Sequence, residues 1–252
     1  MRVLITGAGH GLGLALTLEL LERGANVVGI DRDAASLERL AQGYIDLFEG
    51  RLCDLGDLAA VERLLGRLGP AFDLVVLNAG ISATGNFARI PIEAYDRLIR
   101  INVSAPLLMA QRMVRDDLLA RGGTIVFVSS LSHVMGYPGA SVYAATKDAV
   151  AVYARSVRKP FAKRGVRVLT VFPGPVRTAH AERHAPEGAK ASRRMDPRTL
   201  ARKILAAVRQ RERVLYPGLG ALTAYTLGSL MPRTATRLMR RVIFRKLKRE
   251  VY

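Results

Sequence analysis

Two side chains, Tyr143 and Lys147 of "Tyr-Ala-Ala-Thr-Lys", stand four residues apart. On a helix that spacing places them on one face, one turn from each other. A phenol beside an ammonium is a proton-transfer pair. Free tyrosine has a pKa of about 10, so it acts as a general acid or base near neutrality only when its phenolate is stabilised, by about 1.4 kcal/mol per unit. Lys147 is placed to do this. Near the start, "ITGAGHGLG" from Ile5 to Gly13 puts glycines at 7, 9, 11 and 13. The pattern G-x-G-x-x-G fits neither start, because Leu12 and Leu14 stand where its last glycine would fall.

The elements that must position these residues follow from the hydrophobic pattern. Strands are predicted at Arg2–Thr6, Asn26–Ile30, Tyr44–Leu52, Asp73–Leu77, Thr124–Ser129, Val166–Phe172 and Arg213–Tyr216. Helices are predicted near Gly11–Arg23, Ala34–Gln42, Leu58–Leu68, Glu93–Leu119, Val142–Lys163 and Pro197–Gln210. Strands alternating with helices imply an α/β fold with a parallel sheet. "DLVVL" and "TIVFVS" are nearly unbroken apolar runs, as strands buried on both faces require. The fold class is a Rossmann-type, doubly wound parallel sheet of seven strands in a single domain. The glycines then lie between a strand ending at Thr6 and a helix beginning near Gly11, where such a sheet binds pyrophosphate at a helix N-terminus.

The bulk properties agree. A chain of 252 residues, half hydrophobic and 24% charged, with mean hydropathy +0.14, buries a large core in one domain. Cys53 is the only cysteine, which excludes an intramolecular disulfide and a cysteine-based metal cluster and fits a reducing, cytoplasmic setting. The N-terminus has no signal-peptide pattern. The formal charge of +18 is uneven: residues 1–154 hold 14 Lys/Arg against 16 Asp/Glu, and residues 155–252 hold 25 against 5. The second part can therefore attract a polyanion, whether nucleic acid, an anionic membrane or an anionic substrate. No aromatic stacking surface or nucleic-acid motif accompanies it, so no nucleic acid is expected.

Six motifs in order give a resemblance to the short-chain dehydrogenase/reductase family. They are the T-G-x-x-x-G-x-G turn at Thr6, Gly7, Gly11 and Gly13; Asn78-Ala79-Gly80; Asn102 in "INVS"; Ser130 after "TIVFVS"; the Tyr143/Lys147 pair; and Pro173-Gly174-Pro175-Val176-Arg177-Thr178. The resemblance implies an alcohol dehydrogenase or carbonyl reductase that moves hydride between nicotinamide and a substrate carbon without a metal. By the same resemblance Tyr143 exchanges the hydroxyl proton, Ser130 holds the substrate oxygen, Lys147 also binds the nicotinamide ribose, and Asn102 positions a water. The implied cofactor contacts are Thr6, Gly7, Gly9, His10, Gly11, Leu12, Gly13, Asp31, Arg32, Asp54, Leu55, Asn78, Ala79, Gly80, Tyr143, Lys147, Pro173, Gly174, Val176 and Thr178. Asp31, at the end of the second strand, favours NAD over NADP, because its carboxylate accepts bonds from ribose hydroxyls and repels a 2′-phosphate. Arg32 and His10 are the residues that could instead cover that phosphate. Family members usually form homodimers or homotetramers, which is the expectation here. A dinucleotide-binding sensor or scaffold on the same fold is the alternative, against which the intact Ser130, Tyr143, Lys147 and Asn102 argue.

Several features invite sharper readings than they support. His180 and His184, in "HAERH", lack the order and third ligand of a zinc site and belong to a polar segment, 179–196, expected to cover the substrate. Cys53 reads as a small buried hydrophobe. His133, three residues after Ser130, either faces the substrate pocket or caps its loop. The resemblance covers about 1–216, leaving 217–252 as a basic, apolar extension. Its uncharged run, Val214 to Met231, is interrupted by Pro217 and three glycines and is a poor membrane span. Beyond it, Leu238, Met239, Val242, Ile243, Leu247 and Val251 can share one helical face among eight Lys/Arg. Such a helix either lies on an anionic membrane or packs on its own or a partner subunit. Beside the substrate segment it makes a hydrophobic alcohol or ketone the expected substrate.

Overall fold

Along the first strand, Val3 and Ile5 point to one side of a sheet and Leu4 to the other, and all three are fully buried. This two-sided burial is what a parallel sheet between helical layers demands. In the computed structural model, which describes residues 1–134, 137–185, 192, 194–242 and 251–252, the strands are β1 (Arg2–Thr6), β2 (Asn26–Asp31), β3 (Phe48–Leu52), β4 (Phe72–Leu77), β5 (Leu119–Val128), β6 (Arg167–Val171) and β7 (Val214–Leu215). All pairings are parallel, in the order β3-β2-β1-β4-β5-β6-β7. Between β1 and β4 the order of winding reverses, and the crevice beyond the carboxyl ends there is where doubly wound sheets take ligands.

The helices are α1 (Gly11–Leu21), α2 (Ala34–Gly43), α3 (Leu58–Leu65), α4 (Ile92–Ile99), α5 (Ala105–Arg115), α6 (Ser141–Lys163), α7 (Ala179–Arg183), α8 (Pro197–Arg209), α9 (Leu219–Leu230) and α10 (Pro232–Val242). One face of the sheet packs Val3, Ile5, Val76 and Leu169 against Leu16 of α1, Leu37 of α2 and Ile204 of α8. The other packs Leu4, Val28, Ile125 and Phe127 against Val61 of α3, Met109 of α5 and Ala154 of α6. Asp33, Asp57 and Asp196 start α2, α3 and α8 by accepting a backbone N–H of the first turn, as N-caps do.

Three expectations need correction. The strand expected over Tyr44–Leu52 begins only at Phe48, because Leu47 and Phe48 both donate to the Tyr44 carbonyl and form a turn. The helix expected over Glu93–Leu119 is two helices, α4 and α5, joined by a π-helical turn at Arg100–Ser104. It ends at Arg115, followed by Asp117 in the left-handed region, and Leu119 already belongs to β5. Leu238, Met239 and Val242 do lie on a helix, α10, but Val251, expected on the same helical face, forms an antiparallel bridge with Thr84 instead. Ile243 and Leu247 lie outside the described residues, as do 186–191 and 193 of the expected substrate-covering segment. Among the described residues no helix is long and apolar enough to cross a membrane.

Candidate active site

The carboxyl ends of six strands bring the sequence-selected residues to one crevice. After β1 the chain turns through Gly7 and Gly11, both at positive φ (69° and 53°), a region that residues with a Cβ rarely enter. A Cβ on Gly13 would come within 2.7 Å of the Gly7 carbonyl carbon, and one on Gly9 within 2.7 Å of Ser36 Cβ. The spacing of the glycines is therefore set by the closeness of α1 to the turn and of the turn to α2. His10 stands at the N-cap of α1 without capping it by its side chain, leaving the first-turn N–H groups facing the crevice mouth. Leu12 is buried beneath them. This is a glycine-lined turn at a helix N-terminus, and it fits a dinucleotide pyrophosphate.

Thr6 and Asn78 build the crevice floor. Thr6 Oγ1 accepts the N–H groups of Asn78 and Ala79, both at 3.0 Å, and Asn78 Nδ2 donates to the Thr6 carbonyl at 3.0 Å. These bonds clamp the ends of β1 and β4 together. Asp31, at the end of β2, accepts Gly9 N–H on Oδ2 (2.8 Å) and the N–H groups of Arg32 and Asp33 on Oδ1 (2.8 and 3.1 Å). His10 lies beside it, with Nε2 3.3 Å from Asp33 Oδ2 and Nδ1 3.9 Å from Asp31 Oδ2. Asp54 is held below the ordinary carboxylate pKa: burial would raise it, but Gly56 N–H (2.9 Å) and Arg97 (2.8 Å) outweigh that. Arg97 had no signal in the sequence. Leu55 is buried next to it.

Around Tyr143 the machinery is dense. The Ser130 side chain lies close enough to the Tyr143 phenol to oppose the rise of its pKa. Lys147 is 5% exposed, donates from Nζ to the Val128 carbonyl at 3.0 Å, and lies 5.9 Å from the centroid of the Tyr143 ring. Asn102, 1% exposed in the π turn, is fixed by Ile81: its Oδ1 accepts Ile81 N–H and its Nδ2 donates to the Ile81 carbonyl, both at 2.9 Å. Its Nδ2 also reaches Thr146 Oγ1 at 3.1 Å, and Thr146 Oγ1 donates to the Tyr143 carbonyl at 2.7 Å. Asn102 is thus coupled to the turn that carries Tyr143 through a threonine the sequence did not single out. Ser129, also missed, donates to the Lys147 carbonyl at 2.7 Å. Gly80 completes the junction, since a Cβ there would meet Lys147 Nζ at 3.2 Å and Asn102 Oδ1 at 3.3 Å.

The pKa values differ from the expectation that Lys147 lowers that of Tyr143. Burial pushes the Tyr143 phenol up, with the Ser130 side chain opposing it, and burial lowers Lys147 to about 8. Desolvation is the largest cause of both shifts.

From β6, Pro173 accepts Leu131 N–H at 3.1 Å, tying Pro173-Gly174 to the Ser130 loop. Val176 pairs with Met195, and Thr178 caps α7 through Ala181 N–H (3.1 Å) with its methyl group against Gly11. Among the described residues His133 makes ring contacts. Its ring stacks on Phe172 at 4.3 Å and faces Tyr225 of α9 at 6.1 Å, with Nδ1 3.6 Å from Asp148. Burial lowers its pKa, partly offset by Asp148. His180 and His184 lie ring to ring at 4.6 Å. Among the described residues no three His, Cys, Asp or Glu gather as a metal site.

A family model described as short chain dehydrogenase matches residues 1–188. The chain belongs to the short-chain dehydrogenase/reductase family. It is an NAD(P)-dependent oxidoreductase of that family. It is 30% identical to 2-(R)-hydroxypropyl-CoM dehydrogenase of Xanthobacter autotrophicus over 83% of this chain and 84% of that protein. It is 37% identical to L-xylulose reductase of Homo sapiens over 71% and 72%. Among solved structures, a short-chain dehydrogenase from Sphingobium yanoikuyae in complex with NADPH superposes with a TM-score of 0.75 at 28% identity, covering 91% of this chain and 94% of that one.

Proposed function

We propose that this dehydrogenase interconverts a secondary alcohol and a ketone, with Tyr143 exchanging the hydroxyl proton. The observation that carries the reading is the convergence of Ser130, Tyr143, Lys147 and Asn102 beside the glycine turn of β1. When bound, the dinucleotide supplies or accepts the hydride. Tyr143, kept protonated by its burial, is the proton donor in the reductive direction, and the hydroxyl of Ser130 steadies the oxygen that receives the proton. Lys147 supplies positive charge that strengthens as an oxyanion or phenolate develops. Asn102 holds the backbone of Ile81 and, through Thr146, the turn of Tyr143, so it acts as a positioning residue. The residues that would hold the dinucleotide are the glycine turn with Thr6, His10 and Leu12; Asp31 and Arg32; Asp54 and Leu55; Asn78-Ala79-Gly80; Tyr143 and Lys147; and Pro173, Gly174, Val176 and Thr178.

NAD is the proposed cofactor. A relative from Sus scrofa is named for NADPH, but Asp31 presents a carboxylate that repels a 2′-phosphate, and the local charge is the stronger argument. The proposed substrate is hydrophobic, in keeping with the apolar tail packed beside the Ser130 loop. Exposed Ile99 of α4 and Val152 of α6 support a homo-oligomer built on those helices. Leu222, Leu227, Leu230 and Met231 are exposed next to Arg233, Arg237, Arg240 and Arg241, which supports contact of 217–252 with an anionic membrane surface. The test is absorbance of reduced nicotinamide with NAD or NADP and alcohols and ketones graded from short and polar to long and apolar. Turnover that prefers NAD and rises with apolar size supports the reading; activity confined to small polar compounds removes the substrate assignment. Salt-sensitive cosedimentation with anionic but not neutral vesicles tests the membrane contact.

A further inference from the structure

The end of the chain returns to the catalytic side of the molecule. Thr84 N–H donates to the Val251 carbonyl at 2.8 Å and Val251 N–H donates back to the Thr84 carbonyl at 2.9 Å, an antiparallel pair between positions 167 residues apart. Two backbone hydrogen bonds on one residue make this a defined seat rather than a chance approach. Thr84 is buried, and its neighbours connect it to the site on three sides. Ala83 packs in a small cluster with Val142 and Tyr143. Gly85 N–H donates to the Gly139 carbonyl at 2.8 Å, fixing the loop just before α6. Thr84 Oγ1 lies 3.1 Å from His184 Nδ1, and the His184 ring lies 4.6 Å from that of His180.

We infer that Val251, seated on Thr84, forms part of the wall of the substrate recess and limits the size of the alcohol or ketone it admits. This rests on the reading of the Tyr143 site given above. The segment 83–85 borders Tyr143 on one side and carries the chain end on the other. The surrounding side chains are methyl-bearing or uncharged: Ala83, Val142, Val251 and two histidines. His180 is exposed, yet the protein packed around its ring and the nearby charges of Lys147 and Arg183 lower its pKa, and burial lowers that of His184. Both imidazoles are therefore held toward their neutral form and can exchange hydrogen bonds with a substrate, beside the positive charges of Lys147 and Arg183. Its methyl-bearing side suits a ketone with an apolar body.

Three proteins test this: the wild type, a chain shortened by Val251 and Tyr252, and Val251→Pro, which keeps the length but removes the N–H donated to Thr84. Val251→Ala, which keeps both backbone bonds, isolates the share of the side chain itself. For each, kcat and KM are measured over ketones graded in bulk, together with dinucleotide affinity and Tm. The shortened and proline chains should favour bulkier ketones by about tenfold in the ratio of kcat/KM, mostly through KM, with unchanged dinucleotide affinity and with Val251→Ala shifted in the same direction by less. A ratio within about twofold of wild type in both variants overturns the inference, as does a uniform loss on all substrates with weaker dinucleotide binding, which marks a structural role only. An inert wild type overturns the oxidoreductase reading and this inference with it; an active wild type with unchanged ratios overturns this inference alone.

Discussion

Lys147 buries an ammonium whose only direct partner among the described hydrogen bonds is one carbonyl, that of Val128, and the cost of doing so is measurable as a pH dependence of stability. Its pKa falls from 10.5 to about 8 through burial, so the charged form is disfavoured in the folded protein by roughly 3 kcal/mol. The direction follows from proton counting. Below pH 8 the folded and unfolded chains both hold the proton and the full cost is present. Between about pH 8 and 10.5 the folded chain has lost the proton while the unfolded chain retains it, so stability rises with pH and then levels. From pH 7 to 9.5 the gain attributable to Lys147 is about 2 kcal/mol. Urea denaturation of the protein without added dinucleotide, at several pH values across that interval, reads this gain for wild type and Lys147→Met. The difference in stability between the two should shrink or reverse by that amount as pH rises, with Tyr143 cancelling because it is present in both. Parallel pH profiles would refute the assignment of a buried, depressed lysine.

Other substitutions probe the scaffold and the cofactor cradle. Gly13→Ala drives a methyl into the Gly7 carbonyl and should lower stability by about 1–3 kcal/mol and weaken dinucleotide binding, read by denaturation and by titration. Asn102→Ala leaves the Ile81 N–H and carbonyl without partners and should cost about 2–4 kcal/mol of stability, measured by urea unfolding. Asp31→Asn removes the charge facing a 2′-phosphate and should move the ratio of kcat/KM for NAD over NADP toward NADP by about tenfold, the equivalent of ~1.4 kcal/mol.

The doubly wound sheet was legible because strands buried on both faces leave continuous apolar runs such as Leu74–Leu77, and because the glycine turn falls between a strand and a helix. The candidate site residues stood out in the sequence because their spacing is local: Tyr143 and Lys147 on one helical turn, Gly7 to Gly13 in one loop. What escaped depends on long-range contact. Thr146 matters because Asn102, 44 residues earlier, reaches it, and no periodicity encodes that. The π turn at Arg100–Ser104 did have a local clue in Pro106, which has no N–H to give to the Asn102 carbonyl in an α-helical ladder. His133 was left between two roles because its stacking partners, Phe172 and Tyr225, lie far along the chain. The seat of Val251 on Thr84 is the extreme case, and an amphipathic pattern in the tail argued for a helix instead.

The central claim, that Tyr143 is the proton-exchanging group, is tested most directly by Tyr143→Phe, which removes one hydroxyl and keeps the ring. Turnover is measured at saturating dinucleotide and substrate beside a titration of dinucleotide affinity. The account predicts a fall in kcat of about 10²–10⁴-fold with dinucleotide binding retained. A variant that turns over at the wild-type rate would contradict it.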